Sequence, residues 1–184
     1  MPTPEQWLEY HKRTLDYARS VLQELPQEQL LWVLPETEGE TEERTCEEPR
    51  PFCIAGIIKH VCDAERYWLR EVHIEPAFEP PQQQDWSVGV FQNAFNLIED
   101  QYKRILVDKP NDPDIHFGLS RVCQHNLFHA GQATHLRGLQ DSAWRGPGAN
   151  DTGSWCKAVD YLADLLIGRK PMEYDPETET KHDK

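Results

Sequence analysis

Apolar residues recur along this chain at intervals of three and four, and that period predicts helices. Between Glu5 and Leu25 the positions Trp7, His11, Leu15, Ala18, Leu22 and Leu25 fall on one stripe, and Pro26 ends the run. A short apolar piece, Leu30 to Leu34, leads into a stretch from Glu36 to Pro51 whose glutamates and Pro49-Arg50-Pro51 favour an extended, solvated loop. A second helix is expected from Cys53 to Val72, where Ile54, Ile57, Ile58, Val61, Ala64, Tyr67 and Trp68 supply a broad apolar face before Pro76 and Pro80-Pro81. A third, Ser87 to Leu106, carries Val90, Phe91, Ala94, Leu97, Ile98, Tyr102 and Ile105, and Lys109 to Pro113 closes it. A fourth runs from Ile115 to Leu139. After Gly146-Pro147-Gly148 comes a shorter fifth, Trp155 to Ile167, and the tail from Met172 is expected to be disordered.

No sustained alternation bounded by hairpin turns is present, so the class is all-α: four long helices and a short fifth in one domain, residues 1–171, with an acidic loop at 36–51 and a tail at 172–184. The long loop lets the second helix lie elsewhere than directly antiparallel to the first.

Charge sharpens this division. The 184 residues carry a formal −13, yet residues 36–48 (seven Glu, one Arg) and 173–184 (five acids, two Lys) hold nine of those charges. The body is only mildly acidic and has no basic stripe, which argues against nucleic acid as a partner. No run approaches the roughly 20 apolar residues of a membrane span, and Met1-Pro2-Thr3-Pro4-Glu5 does not read as a signal peptide. The expectation is a cytoplasmic protein, monomer or homodimer, acting on a small molecule and not at a membrane. The five cysteines form no C-x-x-C and read mostly as buried free thiols.

Among eight histidines, only His125 and His129 stand four apart. On a helix that spacing leaves about 40° between side chains one turn apart, so two imidazoles can meet one ion or form a half-exposed pair on a polar face. Leu119, Val122, Gln132 and Leu136 lie on or beside the same stripe, which points the pair inward. His60 sits between Ile57 and Ala64 on the most apolar helix, where a histidine is either a satisfied core residue or a ligand. Together the three suggest a three-imidazole site for a divalent metal, with coordination positions left open. The paired Glu-x-x-His helices of di-iron bundles are absent, and so is H-E-x-x-H, leaving a mononuclear site.

These segments resemble a known family. Ile54-Ala-Gly-Ile-Ile-Lys-His60-Val-Cys-Asp-Ala-Glu65-Arg-Tyr-Trp68-Leu is similar to the second-helix motif of the DinB/YfiT-like superfamily, and His125-Asn-Leu-Phe-His129-Ala-Gly131-Gln132 to its fourth-helix H-x-x-x-H-x-G-Q. The resemblance implies a DinB-like four-helix bundle with a long crossover after the first helix, holding one zinc, nickel or iron ion on His60, His125 and His129. It further implies a metal-dependent S-transferase or isomerase using a low-molecular-weight thiol. The alternative is a non-enzymatic, metal-stabilised bundle that binds a small ligand or partner in a stress response. The insert from Glu36 to Glu48 is longer and more acidic than the family's pattern, so substrate contacts near it do not carry over.

Further residues stand near this constellation. Gln132 could orient a ligand or a water, or be a buried amide. Asp63 and Tyr67 share the face of His60 and could touch a histidine or a substrate, Tyr67 otherwise serving as packing. Glu65 reads as a solvated partner of Arg66, or, on the resemblance, as a buried hydrogen-bond partner. Arg121, one turn before His125, could grip a substrate carboxylate or extend from the bundle end. His11 could border the pocket or lie in the core. Gly131 is expected to let the fourth helix approach a neighbour closely.

Overall fold

The structure, a computed structural model, describes residues 2–36, 44–47, 51–141, 143 and 144; the fifth helix and the tail expected from the sequence lie outside these. Every regular element among the described residues is helical: α1 (Pro4–Leu22), α2 (Gln27–Leu30), α3 (Ile54–Glu71), α4 (Val88–Asp108) and α5 (Pro113–Gln140), with a 3-10 turn at Gln83–Asp85. None of these helices is long and apolar enough to cross a membrane.

Each long helix starts at a side chain able to satisfy its first free N–H groups. Thr3 and Gln6 bond reciprocally at α1, Ser87 Oγ accepts from the Val90 N–H at α4, and Asp112 accepts from the Asp114 and Ile115 N–H groups at α5. Cys53 does the same for α3, its sulfur accepting from the Gly56 N–H at 3.3 Å. Pro4 and Pro113 occupy first-turn positions, where a missing N–H costs nothing. At its far end α3 turns through His73, with φ of 58°, and the His73 N–H bonds back to the Arg70 carbonyl.

α5 packs against both α3 and α1, while α4 packs against α1 and α3. Tyr10, Leu15, Ile58, Phe91, Phe95, Ile98 and Leu119 are wholly buried at the centre. Each such large side chain contributes about 1.5–3 kcal/mol relative to an exposed one. Buried Arg137 reaches from α5 to the Val21 carbonyl at 2.6 Å, closing the carbonyl end of α1. Gln101 of α4 holds the α3–α4 connection through the Ala77 N–H (2.7 Å) and the Glu75 carbonyl (3.0 Å).

Three expectations are corrected. Leu97 is 42% exposed and Phe95 takes its place in the core, because α4 touches two neighbours and its buried face is rotated accordingly. A Cβ on Gly131 would meet nothing within 4 Å, so this glycine mediates no close helix approach; Gly118 does that, a Cβ there lying 3.0 Å from Val72. Cys46 and Cys53 form a disulfide, because the loop returns to the start of α3, whereas Cys62 and Cys123 are buried free thiols and Cys156 lies outside the described residues. The return is held by backbone bonds from the Leu34 N–H to the Phe52 carbonyl (2.9 Å) and from the Phe52 N–H to the Thr45 carbonyl (2.7 Å).

Candidate metal centre

The contact of α3 with α5 brings His60 to the His125/His129 pair across 65 residues of sequence. Their ligand atoms all lie within 4.8 Å of one another, and the Nε2 atoms of His60 and His125 are 3.0 Å apart. Three nitrogens about 2.0–2.1 Å from a tetrahedral ion stand roughly 3.4 Å apart, within that spread, so small side-chain adjustments suffice. The three residues are half-buried, and no Cys, Asp or Glu joins them among the described residues.

The protonation chemistry suits a cation. Burial, reinforced by His129 and His60, pushes the His125 imidazole down to about 3, so it is neutral and its lone pair is free. Its Nδ1 is buried without a partner among the described residues, leaving Nε2 as the atom directed at the group. His129 Nδ1 donates to Gln132 Oε1 at 2.7 Å, which fixes its tautomer and presents Nε2 as an acceptor. Three imidazoles, one of them oriented by an amide, are a donor set that can hold a divalent metal ion.

Beside the group lies a cavity of about 640 Å³. Its wall is mostly apolar: Pro51, Phe52, Ile57, Phe128 and Leu136, with His129, Gln132 and His135 supplying the polar edge and Gly131 leaving open space. Phe128 also sets its ring edge-on to His129 with centroids 5.0 Å apart.

The other sequence candidates lie elsewhere. Asp63 pairs with Lys59 one turn away on the surface of α3. Tyr67 is 55% exposed and leans on Trp68, so it is neither core packing nor in touch with a histidine. Arg121 is exposed and stacks over the Phe117 ring at 5.3 Å. Arg66 pairs with Glu79, and Glu65 is wholly buried instead of solvated. His11, 1% exposed, is a core histidine whose Nε2 meets Glu65 Oε1 at 2.8 Å. His116 bonds the Pro110 carbonyl at 3.0 Å and lies against Trp7.

Sequence reasoning missed Asn126, whose amide donates to the same Glu65 oxygen at 2.7 Å. A signal existed: Asn126 falls on the Leu119, Val122, Cys123, Ala130 stripe, where a polar residue calls for a buried partner. Tyr102 closes over His11 with ring centroids 4.4 Å apart, and burial, then the Glu65 carboxylate, push its phenol well above the ordinary range. The Phe52 and Phe128 walls were missed too, since one belongs to a loop and the other is exposed on α5.

No protein-family model, curated protein or solved structure matches this chain.

Proposed function

We propose that the chain is a divalent-metal-dependent S-transferase of DinB-like type, acting in the cytoplasm on a small molecule with a low-molecular-weight thiol as co-substrate. In this reading the four long helices are a DinB-like bundle with the crossover after α1, and His60, His125 and His129 hold one zinc, nickel or iron ion. The observation that carries it is the convergence of three imidazoles, one of which, His129, lines a cavity of about 640 Å³. A group of three, with no fourth side-chain ligand among the described residues, favours reaction over a purely structural role, for which a closed set of four is usual.

When bound, the ion would supply Lewis-acid chemistry that favours the thiolate form of a thiol. The protein's own residues do the rest. Burial keeps His125 neutral, and Gln132 holds the His129 ring in one tautomer. Phe52, Ile57, Phe128 and Leu136 give the cavity a mostly apolar wall, which suits an electrophile with an apolar body. The second-helix and fourth-helix motifs quoted above, on α3 and α5, add the resemblance that names the thiol.

Protein purified without a metal-affinity tag, loaded with metal and mixed with common cellular thiols and a chromogenic electrophile, tests this. A rate well above that of His125→Ala supports transfer. Equal rates overturn it, and if metal still binds stoichiometrically the non-enzymatic reading takes its place.

A further inference from the structure

We propose that the Cys46–Cys53 disulfide is a thiol-exchange site, at which a low-molecular-weight thiol captures Cys46 and thereby loosens one wall of the cavity beside the histidine triad. The first half stands on the disulfide's own surroundings; the second rests on reading that cavity as a binding site.

The two sulfurs are unlike. Cys53 is wholly buried, whereas Cys46 is half-buried and lines a separate surface cavity of about 300 Å³ with Glu47, Lys59, Gln82, Gln83 and Trp86. An incoming thiol therefore reaches Cys46 and not Cys53. With the Lys59 ammonium already paired with Asp63, the Gln82 and Gln83 amides of that cavity suit a polar, hydrogen-bonding thiol, such as a small peptide thiol.

The leaving side is equally defined. The Cys53 sulfur stands at the N-terminus of the 18-residue α3 and already accepts the Gly56 N–H at 3.3 Å. Negative charge is stabilised at that position by the free N–H groups and the helix dipole, and a stabilised thiolate departs faster. The exchange balances without an oxidant. The attacking thiolate bonds to Cys46 Sγ, the Cys46–Cys53 bond breaks, and its electron pair leaves on Cys53 Sγ, which takes up the proton the incoming thiol gave up. The products are a mixed disulfide on Cys46 and a thiol on Cys53, still placed to reverse the step.

Gly56 makes the seat possible, since a Cβ there would lie 2.1 Å from the Cys46 carbonyl oxygen and 2.6 Å from Pro51. The same segment bears the wall. Phe52 adjoins Cys53, its N–H donates to the Thr45 carbonyl, and Pro51 and Phe52 both line the triad cavity. Opening the covalent link leaves that wall held by backbone bonds and packing alone.

Oxidised full-length protein incubated with millimolar glutathione, then mapped as non-reduced peptides by mass spectrometry, tests the exchange. One glutathionyl group on Cys46 is expected, with Cys62 and Cys123 unmodified. In Cys53→Ser, oxidised glutathione should give the same adduct, now without self-reversal, and Cys46→Ser should give none at this site. An adduct on Cys53, or an intact disulfide untouched by glutathione, overturns the site. For the coupling, the Co(II)-loaded protein is titrated with imidazole and followed by its visible spectrum. Binding several-fold tighter after glutathionylation supports it, and an unchanged curve overturns it. Failure to bind Co(II) at all would refute the metal reading instead, leaving the peptide map to decide the exchange site.

Discussion

Two histidine nodes share α3 and α5, and they differ in what surrounds them. In one, His11 of α1 meets Glu65 of α3, which also takes the Asn126 amide of α5; all three are buried, and Tyr102 lies over the imidazole. In the other, His60, His125 and His129 face one another, half-buried and with no carboxylate among the described residues, and His129 lines a cavity. The first is a closed contact that ties three helices together. The second converges acceptors on a shared point and leaves room beside it. Burial and the identity of the partner, more than the presence of histidine, separate a structural contact from a group that could hold an ion.

The sharpest way to break this contrast is to remove Glu65. Glu65→Ala leaves the buried His11 imidazole without its carboxylate and the Asn126 amide with only a 3.4 Å contact to Thr14 Oγ1, and is expected to cost about 3–5 kcal/mol in urea unfolding. The folded fraction should still bind metal with unchanged stoichiometry. If Glu65→Ala instead costs nothing, the closed node is not what ties the helices.

His125→Ala acts on the other node and should separate binding from folding. Wild-type protein at a metal concentration 100 times the dissociation constant should gain about 2.7 kcal/mol in unfolding free energy, and the variant should gain almost none. Metal-free wild type and variant should differ far less, by about 1 kcal/mol, because the residue is only half-buried. A metal-dependent gain that survives in the variant would place the ion elsewhere.

Gln132→Leu removes the acceptor that orients His129. Metal affinity measured by competition with a chelator should fall by about 10–100-fold while thermal unfolding of the metal-free protein barely moves. An unchanged affinity would show that the 2.7 Å contact plays no part in presenting Nε2.

The smallest effect is one of pH. His125 takes a proton at an ordinary 6.5 when unfolded and only at about 3 when folded, so between those values the unfolded chain binds more protons. Stability of the metal-free protein is therefore fully present above about 6.5 and falls as the pH drops towards 3. After discounting for partial exposure, His125 accounts for about 1–2 kcal/mol of this fall. Equilibrium unfolding of wild type and His125→Asn across that window should show the slope flattened in the variant, and identical slopes would contradict the assignment.

The long helices were legible because their apolar period and their caps are local. Trp7 to Leu22 and Ile54 to Val61 are buried as their spacing predicts, and the observed α5 begins only two residues before Ile115. The His125/His129 pair was legible for the same reason, since four residues on a helix are always neighbours. His60 was harder, and only its apolar flanks and the motif resemblance linked it to α5. What spacing could not carry were contacts between distant segments: His11 to Glu65 across 54 residues, and Glu65 to Asn126 across 61. The Cys46–Cys53 link is close in sequence, but its existence depends on where a polar loop returns, and no period governs that. Gly131 failed for a related reason. A glycine on a helix marks either close approach or open space, and only the neighbouring segments decide between them.

That glycine carries a consequence for how the molecule can vary. A helix-interior glycine gives up about 1 kcal/mol of propensity relative to alanine, yet at Gly131 nothing stands within 4 Å to demand it. A Cβ introduced there would project into vacant volume two residues from His129 without displacing a neighbour. The capacity of the cavity is thus adjustable at a single codon, independently of the ligand set, so a lineage could narrow the range of molecules it admits while keeping the same three imidazoles.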